Sequence, residues 1–135
     1  MNQKLLIVQA TFHQKEMETM LQAAQKTAAQ CGLEIGKIVS VPGSMEIPFA
    51  LHKNLLKEEF SAAVVLGIIE KGETKHGLTM AQAVISSIIG IQIQAGKPVG
   101  VGILGPEINP SQIPPRLEGY ASAAVKAANH LLKLE

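Results

Sequence analysis

A chain of 135 residues can build one hydrophobic core of ordinary size but not two, so the sequence predicts a single domain over residues 1–135. The formal net charge is +1, the Lys and Arg residues form no cluster, and no apolar run reaches the length of a membrane span, so neither nucleic acid nor a membrane is an expected partner. The single cysteine, Cys31, cannot form an internal disulfide and has no ligand-spaced partner, which predicts a reducing compartment, by default the cytoplasm, and no structural metal.

Four apolar segments of strand length alternate with helical patterns along the chain. The predicted strands cover residues 4–10, 35–41, 62–69 and 98–104. The third of these is apolar without interruption, which is typical of a central strand covered on both faces. Alternation of strands and helices is typical of β-α-β units, so the sequence predicts an α/β fold with a four-stranded parallel sheet between two layers of helices.

The helical patterns between the strands have recognisable boundaries. The first covers residues 15–30, with apolar residues recurring at helical spacing on one face. The second begins near Pro48, where the missing N–H costs little, and the third begins near residue 74. Residues 106–115 are rich in Pro, Asn and Ser, which predicts a loop or a short helical turn before a last helix over residues 118–134.

The chain after the third strand has the pattern of an anion site with a proton carrier beside it. Residues 66–76 read Leu-Gly-Ile-Ile-Glu-Lys-Gly-Glu-Thr-Lys-His, so a buried strand passes through glycine into a helix. A helix N-terminus presents backbone N–H groups without intrahelical partners, which suits a phosphate against Glu73, Thr74 and Lys75. His76 then stands at the rim. Thr74 suits a helix cap equally well, and the two roles are compatible.

Ligands in open parallel sheets bind beyond the carboxyl ends of the strands. The four predicted strand ends are followed by Phe12 and His13, by residues 42–46, by residues 68–76 and by residues 102–106. The sequence therefore predicts a site at this edge that combines an aromatic ring, a carboxylate, a helix N-terminus with a histidine, and a glycine-rich turn.

Each candidate also has a plain structural interpretation. Phe12 can belong to the core, and Glu46 can serve the dipole of the following helix. Arg116, the only arginine in the chain, can be an ordinary surface residue. Arginine is also better suited than lysine to bind phosphate oxygens, because its guanidinium group donates two parallel hydrogen bonds. His52 and His130 lie within helical patterns and are expected at the surface.

Three motifs, in order and with matching spacing, resemble the 6,7-dimethyl-8-ribityllumazine synthase family over nearly the whole chain. Ala10-Thr11-Phe12 resembles the family's first-strand Ala-x-Phe-Asn. Residues 41–48 resemble its Val-Pro-Gly-x-x-Glu-Ile-Pro, and residues 67–76 its Gly-x-Val-Ile-x-Gly-x-Thr-x-His. The fourth strand region, residues 97–106, most resembles short archaeal-type members, which also have Gly-Pro after this strand. The resemblance implies a flavodoxin-like three-layer α-β-α sandwich that assembles as a ring.

The resemblance also implies an activity and its residues. The enzyme, a transferase, would condense 5-amino-6-(D-ribitylamino)uracil with 3,4-dihydroxy-2-butanone 4-phosphate through an imine, loss of phosphate, ring closure and loss of water, with no cofactor or metal. His76 would transfer protons and Arg116 would bind the phosphate. The other implied substrate contacts are Phe12, stacked on the pyrimidine ring; Glu73 and Thr74, at the phosphate; Ser44, Met45 and Glu46, at the ribityl chain and ring; Ile68, Ile69 and Glu70, on the pyrimidine side; and Val101, from a neighbouring subunit.

Several positions depart from the family's pattern. His13 stands where asparagine is usual, Glu70 where isoleucine is usual, and Gly77 where an aromatic or acidic residue is common. Val101 replaces a frequent phenylalanine. Because these changes fall on the pyrimidine side, a second interpretation is a divergent paralogue that binds a flavin, pterin or lumazine-like heterocycle without forming it. A third is the archaeal-type riboflavin synthase, which lacks the Gly-x-Thr-x-His motif.

The apolar composition and the family's shared site predict a pentamer in solution, alone or paired into a decamer. Larger shells are less expected for two reasons. The chain begins almost directly at its first strand, without the N-terminal extension that strengthens ring contacts. Proline also stiffens the loop at residues 109–115, before the helix whose angle governs contacts between rings.

Overall fold

The computed structural model describes residues 3–134. All four predicted strands and all four predicted helices are present, which confirms the α/β class. The helices begin within two residues of the predicted starts, and α1 and α4 also end within two residues of the predicted ends. The main elements are β1 (Lys4–Ala10), α1 (Gln14–Gln30), β2 (Glu34–Val41), α2 (Ile47–Leu55), β3 (Ala62–Glu70), α3 (His76–Ala95), β4 (Val99–Ile108) and α4 (Leu117–Leu132), with single 3₁₀ turns at Ser44–Glu46, Pro110–Gln112 and Pro114–Arg116.

The strands form one parallel sheet in the order β2-β1-β3-β4. Every residue of β3 from 62 to 69 is buried, as its uninterrupted apolar run predicts. Successive side chains of a strand point to opposite faces, so β3 contributes to two cores. The core that contains Leu66 is covered by α1 and α4, and the core that contains Val65 is covered by α2 and α3. The three-layer arrangement is therefore confirmed.

β4 is longer than the sequence pattern predicts. It runs to Ile108, whereas the prediction ends the strand at residue 104 and places a loop from residue 106. Gly105 (φ 95°) and Glu107 (φ 63°) have left-handed backbone conformations, and the register with β3 shifts just before Glu70. The prediction was wrong here because a Gly-Pro pair is typical of a strand end, while the irregular backbone lets the pairing resume beyond it.

By length and composition α3 can cross a membrane, with a mean hydropathy of 1.4, so the expectation that no segment would pass this test was wrong. The place of α3 in the fold offers another explanation of its apolar composition, because α3 is the crossover helix between β3 and β4 of one parallel sheet. Ala81, Val84 and Ile88 are its buried residues. Ile89 and Ile93 are 44% and 74% exposed, and they belong to an apolar face that nothing within residues 3–134 covers.

Candidate active site

A cavity of about 410 Å³ opens at the carboxyl ends of β1 and β3. These strands are neighbours in the sheet, and the chain leaves them in opposite directions, toward β2 and toward β4. Open parallel sheets bind ligands at such a point. Nine of the twelve predicted site residues line the cavity, namely Phe12, Ser44, Met45, Glu46, Ile68, Ile69, Glu70, Thr74 and His76.

The turn after β2 brings Ser44, Met45 and Glu46 to the cavity. A carboxylate oxygen of Glu46 accepts a hydrogen bond from the backbone N–H of Gly43 at 2.9 Å, which fixes both the turn and the carboxylate. Ser44 is buried, and its Oγ atom would lie 2.9 Å from a Cβ atom at position 67. Gly67 therefore makes the space that Ser44 occupies, and the second and third sequence motifs pack directly against each other.

The start of α3 places His76 at the edge of the cavity with its side chain exposed. The Oγ1 atom of Thr74 accepts a hydrogen bond from the backbone N–H of His76 at 3.3 Å, so Thr74 contacts the first residue of α3, although the N-cap position belongs to Lys75. The helix begins two residues later than predicted, and residues 73–75 form a bend before it. Glu73 is exposed and does not line the cavity.

His13 also lines the cavity, although the sequence patterns gave it no role. Its Nε2 atom lies 3.2 Å from the Oε1 atom of Glu70. Its imidazole ring stands edge-on to the ring of Phe12, with 5.0 Å between the ring centroids and 89° between the ring planes. Two strand ends are thus linked by side chains at the cavity wall.

The pairing of β1 with β3 brings His13 and Glu70 to the same edge of the sheet. The two strands are paired from Leu5 with Ala62 to Gln9 with Leu66. His13 lies in the turn after β1, and Glu70 is the last residue of β3. A pairing of the two apolar runs would have indicated that these strand ends lie side by side.

Gly77, in the first turn of α3, lies against the backbone of Glu70. A Cβ atom at position 77 would lie 2.9 Å from the backbone carbonyl oxygen of Glu70, closer than side-chain carbons normally approach. Glycine is therefore needed for α3 to begin this close to the end of β3. The three departures from the family's pattern at positions 13, 70 and 77 form one cluster around Glu70.

Val101 and Arg116 lie in a different cavity, of about 620 Å³, between β4 and the start of α4. Arg116 ends the 3₁₀ turn before α4, and its Nη1 atom donates a hydrogen bond to the backbone carbonyl oxygen of Gln112 at 2.9 Å. The half-exposed ring of Tyr120 lines the same cavity. Within one chain, the structure does not bring Arg116 and His76 into a common cavity.

The other candidate side chains lie apart from these cavities. His52 on α2 and His130 on α4 are exposed, as predicted. Cys31 follows the last residue of α1 and is a free, half-buried thiol. Within residues 3–134, no three His, Cys, Asp or Glu side chains come close enough together to hold a metal ion.

Known proteins of similar sequence identify the family of this chain. The family model described as 6,7-dimethyl-8-ribityllumazine synthase matches residues 2–135. Relatives with that name from Pyrobaculum calidifontis, Staphylothermus marinus and Saccharolobus solfataricus are 38%, 39% and 36% identical over 130, 126 and 130 residues. The matches cover 96%, 93% and 96% of this chain and 87%, 84% and 84% of the relatives. The predicted resemblance to archaeal members is thus confirmed, and the chain belongs to the 6,7-dimethyl-8-ribityllumazine synthase family.

Proposed function

We propose that this chain is a transferase of riboflavin biosynthesis that condenses 5-amino-6-(D-ribitylamino)uracil with 3,4-dihydroxy-2-butanone 4-phosphate to 6,7-dimethyl-8-ribityllumazine. The observation that carries the proposal is the single cavity in which nine of the twelve predicted residues meet. Membership of the family favours this enzyme over a paralogue that only binds a related heterocycle, and over a riboflavin synthase. The whole chain, residues 1–135, serves as the catalytic domain.

The pyrimidine substrate lies, in this proposal, at the end of the cavity formed by β1 and β3. The ring of Phe12 is 81% exposed, so it offers a face on which a planar heterocycle can stack. Ile68, Ile69 and Glu70 line the edge of that heterocycle, and the 3₁₀ turn Ser44–Glu46 holds the ribityl chain. Preformed walls on three sides reduce the entropy that the two substrates lose when they react.

The phosphorylated substrate lies, in the same proposal, against the start of α3. Backbone N–H groups of the bend at Glu73 and Thr74 and of the first helical turn bind the phosphate, helped by the positive end of the helix dipole. His76 moves protons as the amino group of the pyrimidine forms the imine and as phosphate departs. The reaction is a condensation, an elimination and a ring closure, so it requires no electron transfer and we assign it no cofactor or metal.

A neighbouring subunit completes the site. Val101 and Arg116 lie in their own cavity on the far side of β4, and a second copy of the chain could place them over the cavity of the first. The uncovered apolar face of α3, which carries Ile89 and Ile93, also needs a partner surface. We assign the assembly as a pentamer, alone or paired into a decamer, which is what the resemblance to the family implies. In such a closed ring one face of each subunit meets a different face of the next.

The assembly assignment is tested by light scattering at micromolar protein. Five chains of 14.3 kDa give about 72 kDa, and ten give about 143 kDa. Ile93→Lys should shift the distribution to smaller species, because a charge would be buried at the apolar face of α3. Gln94→Lys, at the adjacent exposed and polar position, is the matched control and should leave the ring intact. A stable wild-type monomer would contradict both the ring and the shared site.

The compartment that we assign is the cytoplasm. The chain has one cysteine, and Cys31 is free within the described residues, as is typical of proteins that work under reducing conditions. Small-molecule substrates are the partners that this enzyme requires.

The activity is tested by incubating the purified chain with both substrates and following the absorbance of the lumazine product together with the release of inorganic phosphate. Both signals should rise together in equal amounts, and neither should rise when one substrate is omitted. A chain that binds the pyrimidine or a coloured heterocycle but releases no product would support the non-catalytic paralogue instead.

A further inference from the structure

His13 and Glu70 form a linked pair in the wall of the cavity, half-buried at 20% and 35% side-chain exposure. A carboxylate only accepts hydrogen bonds, so an Nε2–H group of His13 is the matching donor for Glu70. The Nε2 and Oε1 atoms are 3.2 Å apart, within hydrogen-bond distance, and this contact favours one orientation of the imidazole ring. Glu70 therefore determines how His13 faces the cavity.

His13 in turn supports Phe12. Their rings meet edge to face at 5.0 Å and 89°, an arrangement that the quadrupoles of aromatic rings favour. The ring of Phe12 is otherwise largely exposed, so its orientation depends on such neighbours. A change at Glu70 is thus transmitted through His13 to the surface on which the pyrimidine would stack.

Glu70 also keeps hydrogen-bonding capacity for a ligand. His13 contacts its Oε1 atom, and a carboxylate has two oxygens with about four lone-pair sites in total. The side chain lines the cavity beside Ile68 and Ile69 and is 35% exposed, so its carboxylate is accessible to a ligand in the cavity. Such an acceptor favours a ligand that brings an N–H donor and disfavours one that brings only acceptors.

The surrounding backbone is adapted to this pair. The neighbouring strands β1 and β3 bring His13 to Glu70, and only glycine at position 77 lets α3 begin against the Glu70 carbonyl. His13, Glu70 and Gly77 thus meet at one point of the cavity wall.

We propose that Glu70 is a positioning and specificity-determining residue of the pyrimidine end of the site. It orients His13, through which the ring of Phe12 is held for stacking, and its second oxygen accepts an N–H from the edge of the stacked heterocycle. The inference rests on the proposed function, because it takes the aminopyrimidine, which carries N–H donors, as the ligand. The phosphorylated substrate, bound at the start of α3, does not depend on the pair.

The experiment measures the Kd of the aminopyrimidine by calorimetry and the KM of both substrates for the wild type, Glu70→Gln, His13→Ala and the double variant. Each single variant should raise the pyrimidine Kd about tenfold, with the KM of the phosphorylated substrate unchanged and kcat little affected. The double variant should bind about as weakly as either single variant, because both changes break the same linked unit. Glu107→Gln is the matched control, since its carboxylate pairs with Lys71 at 3.8 Å outside both cavities.

An unchanged pyrimidine Kd in Glu70→Gln would overturn the inference while leaving the enzyme assignment intact. The same holds if the fold-change of Kd in the double variant equals the product of the fold-changes in the two single variants. Equal loss of affinity for both substrates would overturn it as well, because the pair would then support the fold in general. A wild-type chain that binds the pyrimidine but forms no lumazine would overturn the proposed function only. Absence of pyrimidine binding to the wild type would overturn both.

Discussion

Replacement of His76 by alanine is expected to slow lumazine formation by roughly ten- to several-hundredfold, at or below the lower part of the range for general acid–base groups. The melting temperature should hardly change. The imidazole is exposed at the cavity edge, and the hydrogen bond between His76 and Thr74 uses the backbone N–H, which alanine retains. The measurement is steady-state turnover with both substrates, accompanied by a thermal melt.

The matched control for this variant is His52→Ala, which removes an exposed imidazole from α2, away from the cavity. It should leave turnover unchanged. An unaffected rate in His76→Ala would remove the proton-transfer role and leave catalysis to the proximity of the substrates and to the groups that bind the phosphate. A parallel fall in melting temperature and rate would instead identify His76 as part of the fold.

The fold was predictable where burial alone determines the structure. The uninterrupted apolar run at residues 62–69 identifies a central strand, because a strand that is covered on both faces has no need of polar residues in alternation. The end of β4 was not predictable in the same way. Gly105 and Glu107 adopt left-handed conformations that a hydrophobic pattern does not encode, and the strand resumes its pairing at Ile108.

The site was predictable to the extent that strand ends and motifs define it. The rule that ligands bind at the carboxyl edge placed Phe12, Glu46 and His76 in one region, and the structure brings them into one cavity. The contact between His13 and Glu70 was missed because it depends on β1 and β3 being neighbours in the sheet, which single-sequence patterns do not give. Contacts between subunits are harder still to predict from the sequence, because they depend on the surfaces of two chains.

Arg116→Ala is expected to weaken binding of the phosphorylated substrate by about tenfold to a hundredfold, the effect of losing charge-assisted hydrogen bonds. The affinity for the pyrimidine should hardly move. Arg116→Lys keeps the charge but loses the two-pronged geometry of the guanidinium, so its effect should be smaller and in the same direction. Calorimetry with each substrate measures both. If both ligands weaken alike, or neither does, the role of Arg116 is limited to its hydrogen bond with the Gln112 carbonyl.

Mixing the two impaired variants, His76→Ala and Arg116→Ala, tests where Arg116 acts. Because His76 and Arg116 lie in different cavities of one chain, a site between subunits takes one residue from each of two neighbours. In rings formed by co-expressing His76→Ala and Arg116→Ala in equal amounts, each residue of a given site is intact with a chance of one in two. Both are then intact in about a quarter of the sites, and activity should return to about a quarter of the wild-type value. Rings of either variant alone contain no complete site and serve as the controls. If both residues act within one chain, the mixture has no complete site either, and its activity stays at the level of the separate variants.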